Sequence, residues 1–141
     1  MSTIYWDSML FIYVLEGNPQ FAPTVAKIQR QMYAHGHKLV TSVFTLGEVL
    51  TGPRKLGAQN GIDAVKAYFE SGTVELLPFT GETADRYSVL RSSFNIAQAD
   101  AIHLATAAIA GVDAFVTNDR SLHRLRIPGI AFIVGLDGKL F

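Results

Sequence analysis

Short apolar runs rich in β-branched and aromatic residues alternate along this chain with longer stretches whose apolar side chains recur every three or four positions. The first pattern is that of a strand and the second that of a helix. Thr3–Trp6 reads as a strand ending at Asp7. Ser8–Glu16 reads as a helix with Leu10, Tyr13 and Val14 on one face, stopped by Gly17. Across Pro19–His35, Val25, Ile28 and Met32 keep helical spacing until Gly36. Lys38–Ser42 is the second predicted strand, and the short helix after it carries Glu48 and is predicted to end before Gly52-Pro53. Downstream come a helix over Asp63–Glu70, a strand over Val74–Leu77 closed by Pro78, and a helix over Glu82–Phe94 with Thr80 as its N-cap. The apolar stretch Gln98–Ala110 predicts a buried helix ending at Gly111, ahead of strands at Ala114–Thr117 and Ile130–Val134.

Strands separated by helices predict an α/β fold: a three-layer α/β/α domain around a central, mostly parallel sheet of four to five strands. Length and the lack of any linker or repeat make residues 1–141 one domain. In such sheets ligands bind outside the carboxyl ends of the strands, and Asp7 and Asp119 directly follow the first and fourth strands.

That placement directs attention to four acids set in apolar sequence: Asp7, Glu48, Asp100 and Asp119. A carboxylate there is costly unless paired, and four sharing one site would repel each other. Divalent cations relieve both problems, and hard oxygen ligands suit magnesium or manganese. Each acid also has a local explanation. Asp7 is placed to cap a helix, Thr45-Leu46-Gly47-Glu48 matches a capping box, Asp100 lies in a first helical turn, and Asn118 and Asp119 can cap the turn Arg120–Leu125. What favours a shared site is their consistent placement in the alternating pattern. Ser8, Thr45, Thr117 and Asn118 lie beside them as groups that orient carboxylates.

Composition narrows the chemistry. No cysteine occurs, which removes disulfides, thiolate nucleophiles and cysteine zinc sites. Neither phosphate-binding glycine loop is present. His35, His37, His103 and His123 have no evident metal or nucleophile partner; His103, three residues past Asp100, is placed to hydrogen-bond beside the acids, but reads first as a satisfied core histidine. Twelve basic and 12 acidic residues cancel, a poor balance for a nucleic-acid binder. If four acids face metal, however, eight remain against those 12 basic residues. Lys27, Arg30, Lys38, Arg54, Lys55, Arg120, Arg124 and Arg126 then supply a modest basic rim, with Arg54, Lys55 and Arg120 as candidate substrate contacts. The N-terminus lacks a secretion signal and no apolar run reaches the roughly 18 residues that span a membrane, so a cytoplasmic protein is expected.

The segments Trp6-Asp7-Ser8, Thr45-Leu46-Gly47-Glu48-Val49-Leu50, Ala99-Asp100-Ala101-Ile102-His103-Leu104-Ala105-Thr106-Ala107 and Val116-Thr117-Asn118-Asp119-Arg120-Ser121-Leu122 closely resemble the PIN domain family, especially its VapC-type toxin ribonucleases. The resemblance spans essentially the whole chain, and the Asp100 segment is its most specific part. It departs from the family at Asn95, where glycine is common; asparagine tolerates the left-handed backbone expected there. It implies a metal-dependent endoribonuclease with Asp7, Glu48, Asp100 and Asp119 as catalytic acids. Asp7, Asp100 and Asp119 would bind Mg2+ (or Mn2+), with Thr117 in support. The expected reaction is hydrolysis of RNA by water, leaving a 5′-phosphate and a 3′-hydroxyl. It further implies an antitoxin protein partner and a homodimer. A mean hydropathy of +0.24 implies that some of Phe21, Val25, Ile28, Met32, Val65, Tyr68 and Phe69 remain exposed and mark an interface. Two other readings compete: a metal phosphoesterase acting on small substrates, and a PIN-like binding module with weak catalysis.

Overall fold

In the computed structural model, which describes residues 1–138, the strands are β1 (Thr3–Trp6), β2 (Lys38–Ser42), β3 (Glu75–Leu77), β4 (Ala114–Val116) and β5 (Phe132–Val134). They form one parallel sheet in the order β3-β2-β1-β4-β5. The helices are α1 (Ser8–Leu15), α2 (Ala22–Ala34), α3 (Val43–Lys55), α4 (Gln59–Glu70), α5 (Gly81–Ser93) and α6 (Gln98–Ala110). This is the predicted three-layer architecture.

Alternation along β1 feeds two cores. Ile4 and Trp6 join Leu39, Ala114 and Val116 beneath α1–α4, whereas Tyr5 joins Val40 and Phe115 beneath α5 and α6. The strands are apolar on both faces because both are covered. Leu104, Ala105, Ala107 and Ala108 line α6 with mostly small side chains, which lets that helix lie close to the sheet and to α5. Chain order reverses between β1 and β4, where the loops after the two strands part in opposite directions.

Several expectations need correction. α3 does not stop before Gly52-Pro53 but runs to Lys55, with Pro53 inside it. Pro53 gives up the bond to the Val49 carbonyl, but its ring is buried against Gly61 of α4, where an added Cβ would come within 3.3 Å of the proline ring, and that packing offsets the loss. Thr45 does not cap α3; the cap is Ser42, whose hydroxyl accepts from Phe44 N–H at 3.0 Å. α2 begins at Ala22 because Asn18 Oδ1 accepts from Gln20 and Phe21 N–H, which folds Pro19 into a turn. α4 starts at Gln59, a turn before its predicted onset at Asp63. Asn95 is not left-handed, since among the described residues every one with positive φ is a glycine. Of the seven apolar residues expected at an interface, Val25, Ile28, Met32, Val65 and Phe69 are core, and Phe21 and Tyr68 pack against it. Tyr33 and Leu56 are among the strongly exposed apolar residues instead.

Candidate active site

The four acids come from four places along the chain and lie along the carboxyl edge of the sheet. Asp7 caps α1, its Oδ1 accepting from Met9 N–H at 3.1 Å. Asp119 follows β4 and caps a short 3-10 turn, Arg120–Leu122, through Ser121 N–H at 3.0 Å and Ser121 Oγ at 2.6 Å. Glu48 lies in the second turn of α3 and Asp100 in the first turn of α6. The capping explanations for Asp7 and Asp119 therefore hold, and they coexist with a shared site.

Thr117 ties two of the acids together. Its hydroxyl donates to Asp7 Oδ2 at 2.5 Å and accepts from Asp119 N–H at 3.1 Å. Across the edge, Glu48 Oε1 receives the Ser8 hydroxyl and His103 Nε2, the latter at 2.7 Å. Thr45 is one bond further out, 3.3 Å from Ser8 Oγ. Asn118 is not gathered in: its amide donates to Tyr13 Oη at 3.2 Å and holds the loop to α1. Arg54 and Lys55 lie in the last turn of α3, and Arg120 lines a surface depression with Phe21, Asn118 and His123.

Electrostatics separate the acids. Burial pushes the Asp7 carboxyl above the usual carboxylate range, with the Thr117 bond pulling it back. Asp100 is also raised, first by burial and then by the negative charges of Asp119 and Glu48. For Glu48 burial again pushes upward, but the bonds from His103 and Ser8 win and hold it below its ordinary value. The site thus carries excess negative charge with Asp100 facing two other acids. Among the described residues, no three carboxylate or imidazole groups converge closely enough to hold a metal ion as they stand. The donors are nonetheless of the right kind: hard oxygens, with like charges that a divalent cation would neutralise.

Two histidines belong to this network, His103 and His123. His103 is 4% exposed and bonds to both Tyr5 and Glu48. His123 Nε2 lies 2.9 Å from the Thr117 carbonyl, bracing the residue that bridges Asp7 and Asp119. The spacing of His103, one helical turn past Asp100, was the only signal available for either.

Comparison with solved structures finds this fold in toxin–antitoxin systems. The VapBC2 complex from Rickettsia felis bound to a DNA fragment from its promoter superposes with a TM-score of 0.75 at 17% identity, covering 94% of this chain and 98% of that one. VapC20 from Mycobacterium tuberculosis, a toxin that cleaves the sarcin–ricin loop, gives 0.68 at 16% identity over 87% and 96%. VapBC-5 from the same organism gives 0.63 at 20% identity over 96% and 99%. No curated protein matches by sequence. Among the described residues no helix is long and apolar enough to cross a membrane. The PIN domain model matches residues 4–128, a span that holds all four acids and all five strands but the last, and the chain belongs to the PIN domain family.

Proposed function

We propose that residues 1–141 act as a single-domain endoribonuclease, the toxin of a type II toxin–antitoxin pair, working in the cytoplasm with Mg2+ or Mn2+. What supports this reading is the placement of Asp7, Glu48, Asp100 and Asp119 along the carboxyl edge of a parallel sheet, with Asp100 raised by burial and by the charges of Asp119 and Glu48. Asp7, Asp100 and Asp119 would hold the metal ion. When bound, that ion supplies the acidity that activates water and the positive charge that offsets charge developing on phosphate.

The chain's own residues do the rest. Thr117 fixes Asp7 and the Asp119 backbone in one unit. Glu48, held anionic by His103 and Ser8, orients a water through its other oxygen, Oε2. Arg54, Lys55 and Arg120 would supply positive charge for the RNA backbone. The family fold supports an antitoxin partner, and an antitoxin arginine placed among these acids would neutralise the site and compete with metal. A homodimer belongs to the same reading.

Incubating the pure protein with RNA, duplex DNA and p-nitrophenyl phosphate, with and without magnesium, tests this. Magnesium-dependent cleavage of RNA alone is expected. Hydrolysis of p-nitrophenyl phosphate in preference to RNA would favour a small-substrate phosphoesterase, and no turnover of any of the three would favour a binding module.

A further inference from the structure

Proton bookkeeping around Tyr5 favours one arrangement. The Ser42 backbone N–H can only donate, and it points at Tyr5 Oη at 3.1 Å. The Trp6 carbonyl can only accept, and it takes the Thr41 hydroxyl proton at 2.8 Å. Thr45 therefore donates to Thr41 across their 2.7 Å contact. The Tyr5 proton is left to His103 Nδ1, 2.7 Å away. An Nδ1 that accepts places the ring proton on Nε2, which donates to Glu48 Oε1 at 2.7 Å. Ser8 Oγ, 3.1 Å from the same Nε2, gives its own proton to the same Oε1. Burial keeps the Tyr5 phenol protonated, its affinity for the proton pushed well above the ordinary value. The imidazole is further walled in by the Tyr5 ring edge and by Phe44, centroids 5.9 and 5.7 Å away.

The structure assigns His103 as a positioning residue: locked by Tyr5 as its Nε2–H tautomer, it anchors Oε1 of Glu48 and leaves Oε2 free for the reaction. This rests on the nuclease reading above. Its physical purpose follows from the helix. His103 is one turn past Asp100 on α6, whereas Glu48 is on α3 in the opposite layer. Asp100 and Glu48 repel each other. A bond from His103 to Glu48 straps α3 to α6 against that repulsion and sets the spacing of two acids before any cation arrives. Tyr5, two residues before Asp7 on β1, sets the strap by dictating the tautomer.

The test pairs a readout on metal-free protein with kinetics. In 15N-histidine-labelled wild type, His103 should show a protonated Nε2 and a bare Nδ1; Tyr5→Phe should abolish this fixed pattern. With magnesium and RNA, Tyr5→Phe and His103→Leu should each lower kcat by about 10- to 100-fold with KM little changed. His103→Gln, which keeps a donor near the Nε2 position, should recover part of that loss. A proton on His103 Nδ1 in wild type, or unaltered kcat in Tyr5→Phe, would overturn the assignment. If His103→Leu fails to fold, the wild-type spectrum and the Tyr5→Phe kinetics decide. Asp100→Asn serves as the separate control: wild-type cleavage by that variant would defeat the nuclease reading, and the spectrum would still decide the tautomer.

Discussion

At the scale of the residue, the acids are not equivalent. Asp100 is raised by burial and by two like charges, and no hydrogen bond within the described residues offsets this. Asp100→Asn should abolish RNA cleavage while raising the melting temperature of the metal-free protein, by roughly 2–4 °C per kcal/mol of repulsion relieved. Asp7 differs because it also caps α1 and accepts from Thr117. Asp7→Asn should abolish cleavage with a smaller gain, since an amide cannot accept at both oxygens. Thermal melts of both variants in EDTA check the order; a large loss of stability in Asp100→Asn would mean that the acid is structural. The pH dependence has a definite sign. For Asp7 and Asp100 the native state keeps its proton to higher pH than the unfolded chain, so stability falls as pH rises from the ordinary carboxylate range near 4 through their raised values. Glu48 acts oppositely: its contribution is present above its ordinary value and lost as pH falls through its lowered one. Metal-free melts between pH 4 and 7 should therefore decline in wild type and decline less in Asp100→Asn. Equal slopes would count against charge crowding.

At the scale of the element, strand positions were the most legible part of the chain. Thr3–Trp6 and Lys38–Ser42 match β1 and β2 because a run of apolar or β-branched residues, four in the first and three in the second, ends at an acid or a capping serine. Helix boundaries were less legible wherever tertiary contact overrode local chemistry. Pro53 reads as a stop signal, yet it lies inside α3 because Gly61 of α4 leaves room for its ring. The four acids could be read from their apolar settings and His103 from its spacing past Asp100, but the bonding partners of His103 and His123 could not, since they are distant in sequence or backbone groups: Tyr5 and Glu48 for one, the Thr117 carbonyl for the other. Two glycines allow a matched test of how elements are fixed. Gly111 ends α6 at φ +67° with nothing near an added Cβ, so Gly111→Ala should cost only the left-handed penalty, about 1 kcal/mol. Gly129 has φ +100° and an added Cβ would lie 2.4 Å from the Ala108 carbonyl oxygen. Gly129→Ala should cost at least about 2 kcal/mol, because it must push the loop before β5 off α6. Urea unfolding of both variants measures the difference, and equal losses would contradict this packing.

At the scale of the whole molecule, the parallel sheet holds two unlike structures at one edge. On one side Thr117 welds Asp7 to the Asp119 backbone, and on the other His103 and Ser8 fix Glu48. Asp100 is left facing the acids of both. Magnesium that binds only the folded state should raise the melting temperature, by about 1.4 kcal/mol of stability at tenfold excess over Kd, and the increment should shrink in Asp100→Asn. The chemistry of the cut ends tests the central claim most directly, because water activated at an acidic metal site and attack by the RNA 2′-hydroxyl leave different products. RNA digested by the wild-type protein in magnesium should carry 5′-phosphate and 3′-hydroxyl ends, and EDTA should stop the digestion. Cyclic 2′,3′-phosphate ends, or cleavage that persists in EDTA, would contradict the account.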